Sequence, residues 1–462
     1  MTADPAATPT HPTGPTNPDQ PNWASFSRYA GIAAVAGFGL LIAAGVANLS
    51  TADAGVAAIA AKKRFALAYL SGFIFWFSLP IGGMALLMIA YLTKTSWGLL
   101  LRRPFEAATR TLPLFFLLFV PVILLVVTES ASPYWWSAPH ETPIPDVDND
   151  PNNPQAAEKR NQAIQTGKLM IQKTVLRERE ERDKGIFGFL STPSFVIVSI
   201  VLFLIWYAMI YLLKKWGEDA SDETSTAKVD AALEKLKNFS GPGIIVYALT
   251  ITAGATLWVM SLEPSWSSTM FPVIFAVNQF LTCFAFCLAL FLILVSQPPF
   301  RDLMRPKFQL DMGTLMLVFT LFWSYTSFSQ YMLVWIGNLP EEIPFFLKRS
   351  AGAWWYVSAG LIALHFALPF LLLLFRDIKL HPVRLQTVAI YLCVICAIDV
   401  VWWIEPTLGN ASGFPYFLMD IGGVVGVGGL FALNWIRILK QRPLFPASQT
   451  FLLPEGHHAG HH

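Results

Sequence analysis

Two ionisable side chains lie deep in apolar stretches of the sequence. Asp399 follows "YLCVICAI", and His365 follows "LIAL". About eleven residues into its run, Asp399 lies some 16 Å deep as helix. His365 reaches a comparable depth from the other side. A charge near mid-bilayer costs about 2.5–3.5 kcal/mol on insertion scales, so an acid and an imidazole kept there point to proton transfer. A structural Asp–His or Asp–Arg pair is the plainer alternative. A second feature runs through 312–336, where Thr320, Ser324, Ser327 and Tyr331 are spaced i, i+4, i+7 and i+11 and so share a helix face. Turned inward, that row could hold a file of waters between Asp311 at one end and Glu341 and Glu342 at the other. Tyr325 stands beside it. Glu263, Glu405 and Asp420 lie toward the same end as Glu341. The plainer reading of the hydroxyls is helix packing glue, at about 0.6 kcal/mol each. The aromatic residues Trp323, Tyr325, Trp402 and Trp403 could sandwich a quinone ring, with Asp399 or His365 accepting its proton. Aromatic packing between helices is the alternative there.

Other redox chemistry finds little in the chain. A membrane b-type haem needs paired histidine ligands in its spans, and of eight histidines only His365 is well inside one. Cys283, Cys287, Cys393 and Cys396 all fall in apolar segments. The C-x-x-C at 393–396 is not followed by a histidine, so it reads as packed thiols rather than a c-haem attachment. No spacing suits an iron–sulfur cluster, and no phosphate loop opens a helix. The expectation is a chain that binds no metal, haem or cluster of its own.

The elements that must position these residues are membrane helices. The 462-residue sequence is 54% hydrophobic and only 13% charged, against about a quarter charged in soluble domains. Ten apolar windows reach membrane-spanning length: 28–49, 65–92, 112–131, 193–213, 241–262, 271–295, 312–336, 352–375, 385–404 and 415–437. Pro80, Pro113 and Pro121 are expected to kink spans two and three. Residues 1–27, rich in Pro and Thr, read as a disordered tail rather than a signal peptide. Spans one to three then occupy 28–131, a long loop with one polar helix 132–192, and spans four to ten 193–437. A polar helix near 221–239 joins spans four and five, and 438–462 forms a second tail. Placing both termini in the cytoplasm puts about 19 Lys and Arg on that side against about five in the short opposite loops, as the positive-inside rule demands. Ala33 with Gly37, and Gly422 with Gly426, are spaced for close approach of spans one and ten.

Four stretches carry a family resemblance: "FWSYTSFSQYMLVWIGNLPEEIPFF" (322–346), "MSLEPSWSSTMFPV" (260–273), "RRPFEAATRTLPLF" (102–115) and the run from Leu364 to Pro406. They resemble the NrfD/polysulfide-reductase-type integral membrane subunits, and more closely the F subunits of bacterial alternative complex III. The likeness covers most of 65–437, with "SQYMLVW…NLPEE" its most specific phrase. It implies two four-helix bundles, spans two to five and six to nine, flanked by spans one and ten. It also implies an accessory subunit of a quinol-oxidising respiratory complex in the bacterial inner membrane, with menaquinol or another quinol as the substrate of the complex. Implied partners are a homologous quinol-binding membrane subunit, periplasmic haem c and iron–sulfur subunits, and a terminal oxidase. For this chain it implies support of assembly and of a proton path, carried onto Asp399, His365, Asp311, Glu263, Ser324, Tyr325 and Glu341. Gln309 stands where the resemblance implies a histidine. Two further readings remain: the chain itself binds quinone, or it is an independent secondary transporter with Asp399 as its coupling site.

Overall fold

A computed structural model describes residues 23–50, 56–93, 95–129, 132–137, 190–222, 226–263, 266–295, 306–340, 342–408 and 414–441. Apart from turns, the described residues are helical, and the chain is an all-α polytopic membrane protein. Nine helical stretches among them are long and apolar enough to cross a bilayer. In hydrocarbon a helix satisfies all its own backbone polar groups, which is why long apolar runs take this form. The helices are α1 (Trp23–Ser50), α2 (Val56–Thr93), α3 (Ser96–Leu100), α4 (Arg102–Thr109), α5 (Leu112–Val127), α6 (Thr192–Asp222), α7 (Thr226–Trp258) and α8 (Phe271–Val295). Then follow α9 (Pro306–Gly337), α10 (Ile343–Arg349), α11 (Trp354–Gly360), α12 (Leu368–Leu374), α13 (Arg376–Leu380), α14 (Pro382–Ile404) and α15 (Phe414–Leu439). A π-helical turn, Leu361–Ala367, joins α11 to α12.

α9 stands outside the apolar nine although it has 32 residues, about 48 Å of helix. Its Ser, Thr and Gln residues dilute the apolar average. It is the tenth long helix, packed on α8 and α12.

The helices sort into two groups around α2 and α8, which touch each other. The first comprises α2, α4–α5, α6 and α7. Its interior is filled by aromatic rings: Phe77, Phe119, Phe203 and Trp206 surround Trp258, and the Phe119 and Trp258 ring centroids are 4.7 Å apart. The indole N–H groups are satisfied locally, Trp206 by Thr250 at 2.9 Å and Trp258 by Ser199 at 3.0 Å. The second group comprises α8, α9, the α11–α12 segment and α14, and holds Asp399.

α1 and α15 form a separate pair against α2. Their backbones touch: a Cβ on Gly37 would meet Gly426 N at 2.2 Å, and one on Gly429 would meet Ala34 N at 2.2 Å. The contact residue on α1 is Ala34 rather than Ala33, which is only partly buried. Three boundaries differ from the sequence reading. α1 begins at Trp23, so residues 23–27 are helical rather than tail. The polar segment before span five is one piece with it in α7, which continues through Pro242. Pro113 opens α5 at its first turn, where its missing N–H costs nothing. Residues 1–22, the proposed loop helix and the last tail lie outside the described residues.

Candidate functional site

α14 carries a buried stripe at Leu385, Val388, Ala389, Leu392, Ile395, Cys396, Asp399, Val400 and Trp403. Asp399 thus occupies a core position by helical periodicity, and it is 1% exposed. Its carboxylate Oδ2 accepts hydrogen bonds from Trp323 Nε1 on α9 at 2.8 Å and from Asn278 Nδ2 on α8 at 3.0 Å. Oδ1 carries no hydrogen bond among the described residues, and Asp399 stands on the wall of a cavity. Asn278 is itself oriented by Thr282, one turn on, whose hydroxyl donates to Asn278 Oδ1 at 3.2 Å.

His365 sits in the π-helical turn, where one extra residue per turn changes the direction in which the ring points. The ring is fully buried and stacked on Trp323, with centroids 3.7 Å apart. Its Nδ1 is 3.8 Å from Asp399 Oδ2, too far for a hydrogen bond, and Nε2 is 3.6 Å from Cys396 Sγ. The expected acid and imidazole are therefore neighbours, but the carboxylate is held by an indole and an amide. Asn278 was missed at the sequence level. Its only signal was the amide pair "NQ" within the apolar run of α8.

The cavity has a volume of about 710 Å³, within the range of pockets for small organic ligands. Trp266, Phe271, Trp323, Trp402 and Trp403 form its inner walls, with Phe345 below Trp266. Ser324, Ser327 and Gln330 add polar points from α9. Its outer rim, between α9 and α11, is made of Tyr325, Phe328, Tyr331, Trp355 and Ile362, all exposed. All three tryptophans expected to line a quinone site are on its wall.

The inward hydroxyl row is corrected by the structure. The buried face of α9 is centred on Trp323, Thr326 and Gln330, next to that row rather than on it. Thr320 is buried but donates to Met316 O in its own helix at 2.9 Å. Ser324 and Ser327 are half-buried on the cavity wall, while Tyr325 and Tyr331 face outward at 66% and 41% exposure. The aromatic and aliphatic residues bury more apolar surface than the hydroxyls can repay, so they win the interior. Between Thr320 and Asp311 the bundle is closed by Met312, Met316 and Phe319 of α9, Leu288 and Leu292 of α8, and Leu385, Val388 and Leu392 of α14, all buried. Asp311 itself is half-buried at the far end. No polar file joins it to Asp399 among the described residues.

The other end of the cavity is charged. Arg349, 1% exposed, donates from Nε to Trp402 O at 3.0 Å, from Nη2 to Trp403 O at 2.6 Å and from Nη1 to Phe345 O at 2.8 Å. The bonds to Trp402 O and Trp403 O cap the last turn of α14, whose carbonyls have no partner within the helix. Glu263 lies 3.4 Å from Arg349 Nη1 and 2.6 Å from Lys348 Nζ. Burial pushes the Arg349 guanidinium down to about 10, with Glu263 opposing the fall, so it remains a cation at neutral pH. Glu263 is thus held in an ion pair. Glu342 is half-buried near the same end, and Glu341 lies outside the described residues.

The four cysteines are free thiols. Among the described residues no three His, Cys, Asp or Glu side chains are arranged to hold a metal ion. No protein-family model matches the chain, and no curated protein matches it.

Proposed function

We propose that this membrane protein binds a quinone-type amphiphile in the Asp399 cavity and exchanges a proton with its ring oxygen. One observation carries the reading: an aromatic-walled cavity of about 710 Å³, rimmed by exposed apolar residues, has one buried carboxylate on its wall. An isoprenoid tail lies across Phe328 and Ile362 at the rim, and the ring packs among Trp323, Trp402 and Trp403. Asp399 Oδ1 takes the hydroxyl proton of a quinol. Trp323 and Asn278 hold Oδ2 still, and His365 fixes Trp323 by stacking. Quinol oxidation frees two electrons and two protons. Asp399 takes the protons in turn, handing the first on toward the polar Gln330–Arg349 end of the cavity before accepting the second, and the electrons pass to a redox partner.

The resemblance to alternative complex III F subunits supplies that partner. On this reading the chain is an integral subunit of a quinol-oxidising complex in the bacterial inner membrane. Haem c and iron–sulfur subunits dock on the Glu263 end, and both termini lie in the cytoplasm. The apolar closure between Asp399 and Asp311 favours quinone binding over the transmembrane proton path implied for such subunits. It equally disfavours a transporter using Asp399 as its coupling group.

The test is titration of the purified protein with a short-chain menaquinone analogue, followed by quenching of tryptophan fluorescence. Asp399→Asn should weaken binding about tenfold or more, and Ser327→Phe, which fills the cavity, should abolish it. Unchanged affinity in both folded variants would reject the site.

A further inference from the structure

A second buried acidic site lies beyond the end of α14, on a different face from the cavity. Glu405 opens the 3-10 turn Glu405–Leu408, Asp420 lies in the second turn of α15, and Arg64 reaches across from α2. Arg64 Nη1 is 3.6 Å from Glu405 Oε2, and its guanidinium lies 4.2 Å from the centroid of the Tyr416 ring. Arg64, Glu405 and Asp420 are 4%, 2% and 9% exposed. The two carboxyl groups are within hydrogen-bonding reach of each other. Yet Glu405 Oε1 and Asp420 Oδ1 are buried with no hydrogen-bond donor among the described residues.

Ionised carboxylates are acceptors only, so two of them at this range repel unless one proton lies between them. The charge count agrees. Of the three cations in this turn of α2, Arg64 is the buried one set against Glu405, while Lys62 is exposed and Lys63 half-buried, and α15 contributes Asp420 and the phenol of Tyr416. α10 brings Arg349, but that guanidinium is committed to Glu263 and to the carbonyls of Phe345, Trp402 and Trp403. Among the described residues one guanidinium thus faces two carboxyl groups, and a single shared proton makes the cluster neutral.

We propose that Glu405 and Asp420 form an exchangeable proton-binding site, one proton held between the two carboxyl groups and balanced by Arg64. The site is independent of the quinone reading, since it uses none of the cavity residues. It lies at the end of the bundle where Glu263, Lys348 and Arg349 meet.

Infrared spectroscopy of the full chain in lipid nanodiscs at neutral pH tests this, with Asp399→Asn as the parent throughout so that the buried acid of the cavity contributes no band. A protonated-carboxyl C=O band that shifts in heavy water is expected in the parent protein. It should vanish in both Glu405→Gln and Asp420→Asn, because the remaining carboxylate then pairs alone with Arg64. In Arg64→Met, where both groups must be neutral, the band should grow about twofold. Thermal unfolding establishes that each variant is folded, and Arg64→Met keeps the test decisive should one of the amides fail to fold. Persistence of the band in either amide variant would overturn the shared proton, since it would then sit on one residue alone. So would a band that disappears on adding sodium chloride, which would make the ligand a metal cation.

Discussion

At the residue scale, the depth of Asp399 was legible in the sequence because an acid inside "YLCVICAIDVVWW" has no other explanation than a built environment. Its partners were not legible. Trp323 was read as an aromatic wall, yet its indole N–H is the closest donor to the carboxylate, at 2.8 Å. Which donor reaches an acid depends on helix rotation and rotamer, neither of which spacing along one chain fixes. The arrangement predicts a graded series. Trp323→Phe keeps the wall but removes a hydrogen bond to a charged group, an effect of about 1.5–3 kcal/mol. Affinity for the menaquinone analogue should fall by about 10- to 100-fold on fluorescence titration. Asn278→Leu should act in the same direction. Arg349→Lys keeps the cation but loses the planar fork that bonds Trp402 O and Trp403 O. It should lower the midpoint of thermal unfolding by several degrees, measured by circular dichroism, and weaken binding as the last turn of α14 loosens.

At the element scale, helix number and span were readable from apolar length, and the hydroxyls of α9 showed that this helix is not purely lipid-facing. The face it buries was misread. An 11-residue hydroxyl spacing defines a row, but the row that faces inward is the one burying Met316, Phe319, Trp323 and Val334. Hydroxyls can bond their own helix, as Thr320, Thr326 and Ser329 do, and so need no interior. The π-helical turn at Leu361–Ala367 had no sequence signal either, since its residues are ordinary for a span. The glycine contacts were readable in kind, though off by one residue at Ala34. They give a sharp prediction. A Cβ at Gly423 would lie 2.3 Å from Ala68 O, with backbone rather than a movable side chain in the way. Gly423→Leu should therefore separate α15 from α2 and abolish recovery of folded protein, measured by size-exclusion chromatography. Gly31→Leu, where no atom lies within 4 Å, should be tolerated.

At the scale of the whole molecule, the two helix groups divide their work. The first is sealed by stacked rings and has the indoles of Trp206 and Trp258 satisfied locally. The second keeps a cavity and a charged end, with an apolar closure between Asp399 and Asp311. That closure has a consequence for protons. A proton accepted by Asp399 finds its longer run of polar side chains on the cavity side, where Gln330, Ser358 and Arg349 line the way toward Glu263. On the other side the polar neighbours among the described residues end at Asn278 and Thr282. Toward Asp311 it meets Phe319, Met316 and Met312, about 12 Å of helix without a hydrogen-bonding side chain on the buried face. Water in such a dry, apolar space would lack the two or more polar partners it needs. On the proposed reading, in which the chain serves a quinol-oxidising complex, Asp311→Asn should therefore leave quinol oxidation unchanged, and leave proton release to the Glu263 side unchanged as well. Vesicles carrying a trapped pH dye, with quinol supplied from outside, read both quantities in one experiment. If Asp311→Asn slowed proton appearance by tenfold while binding at Asp399 stayed intact, a path through the apolar closure would exist, and the one-sided exchange argued from these side chains would be wrong.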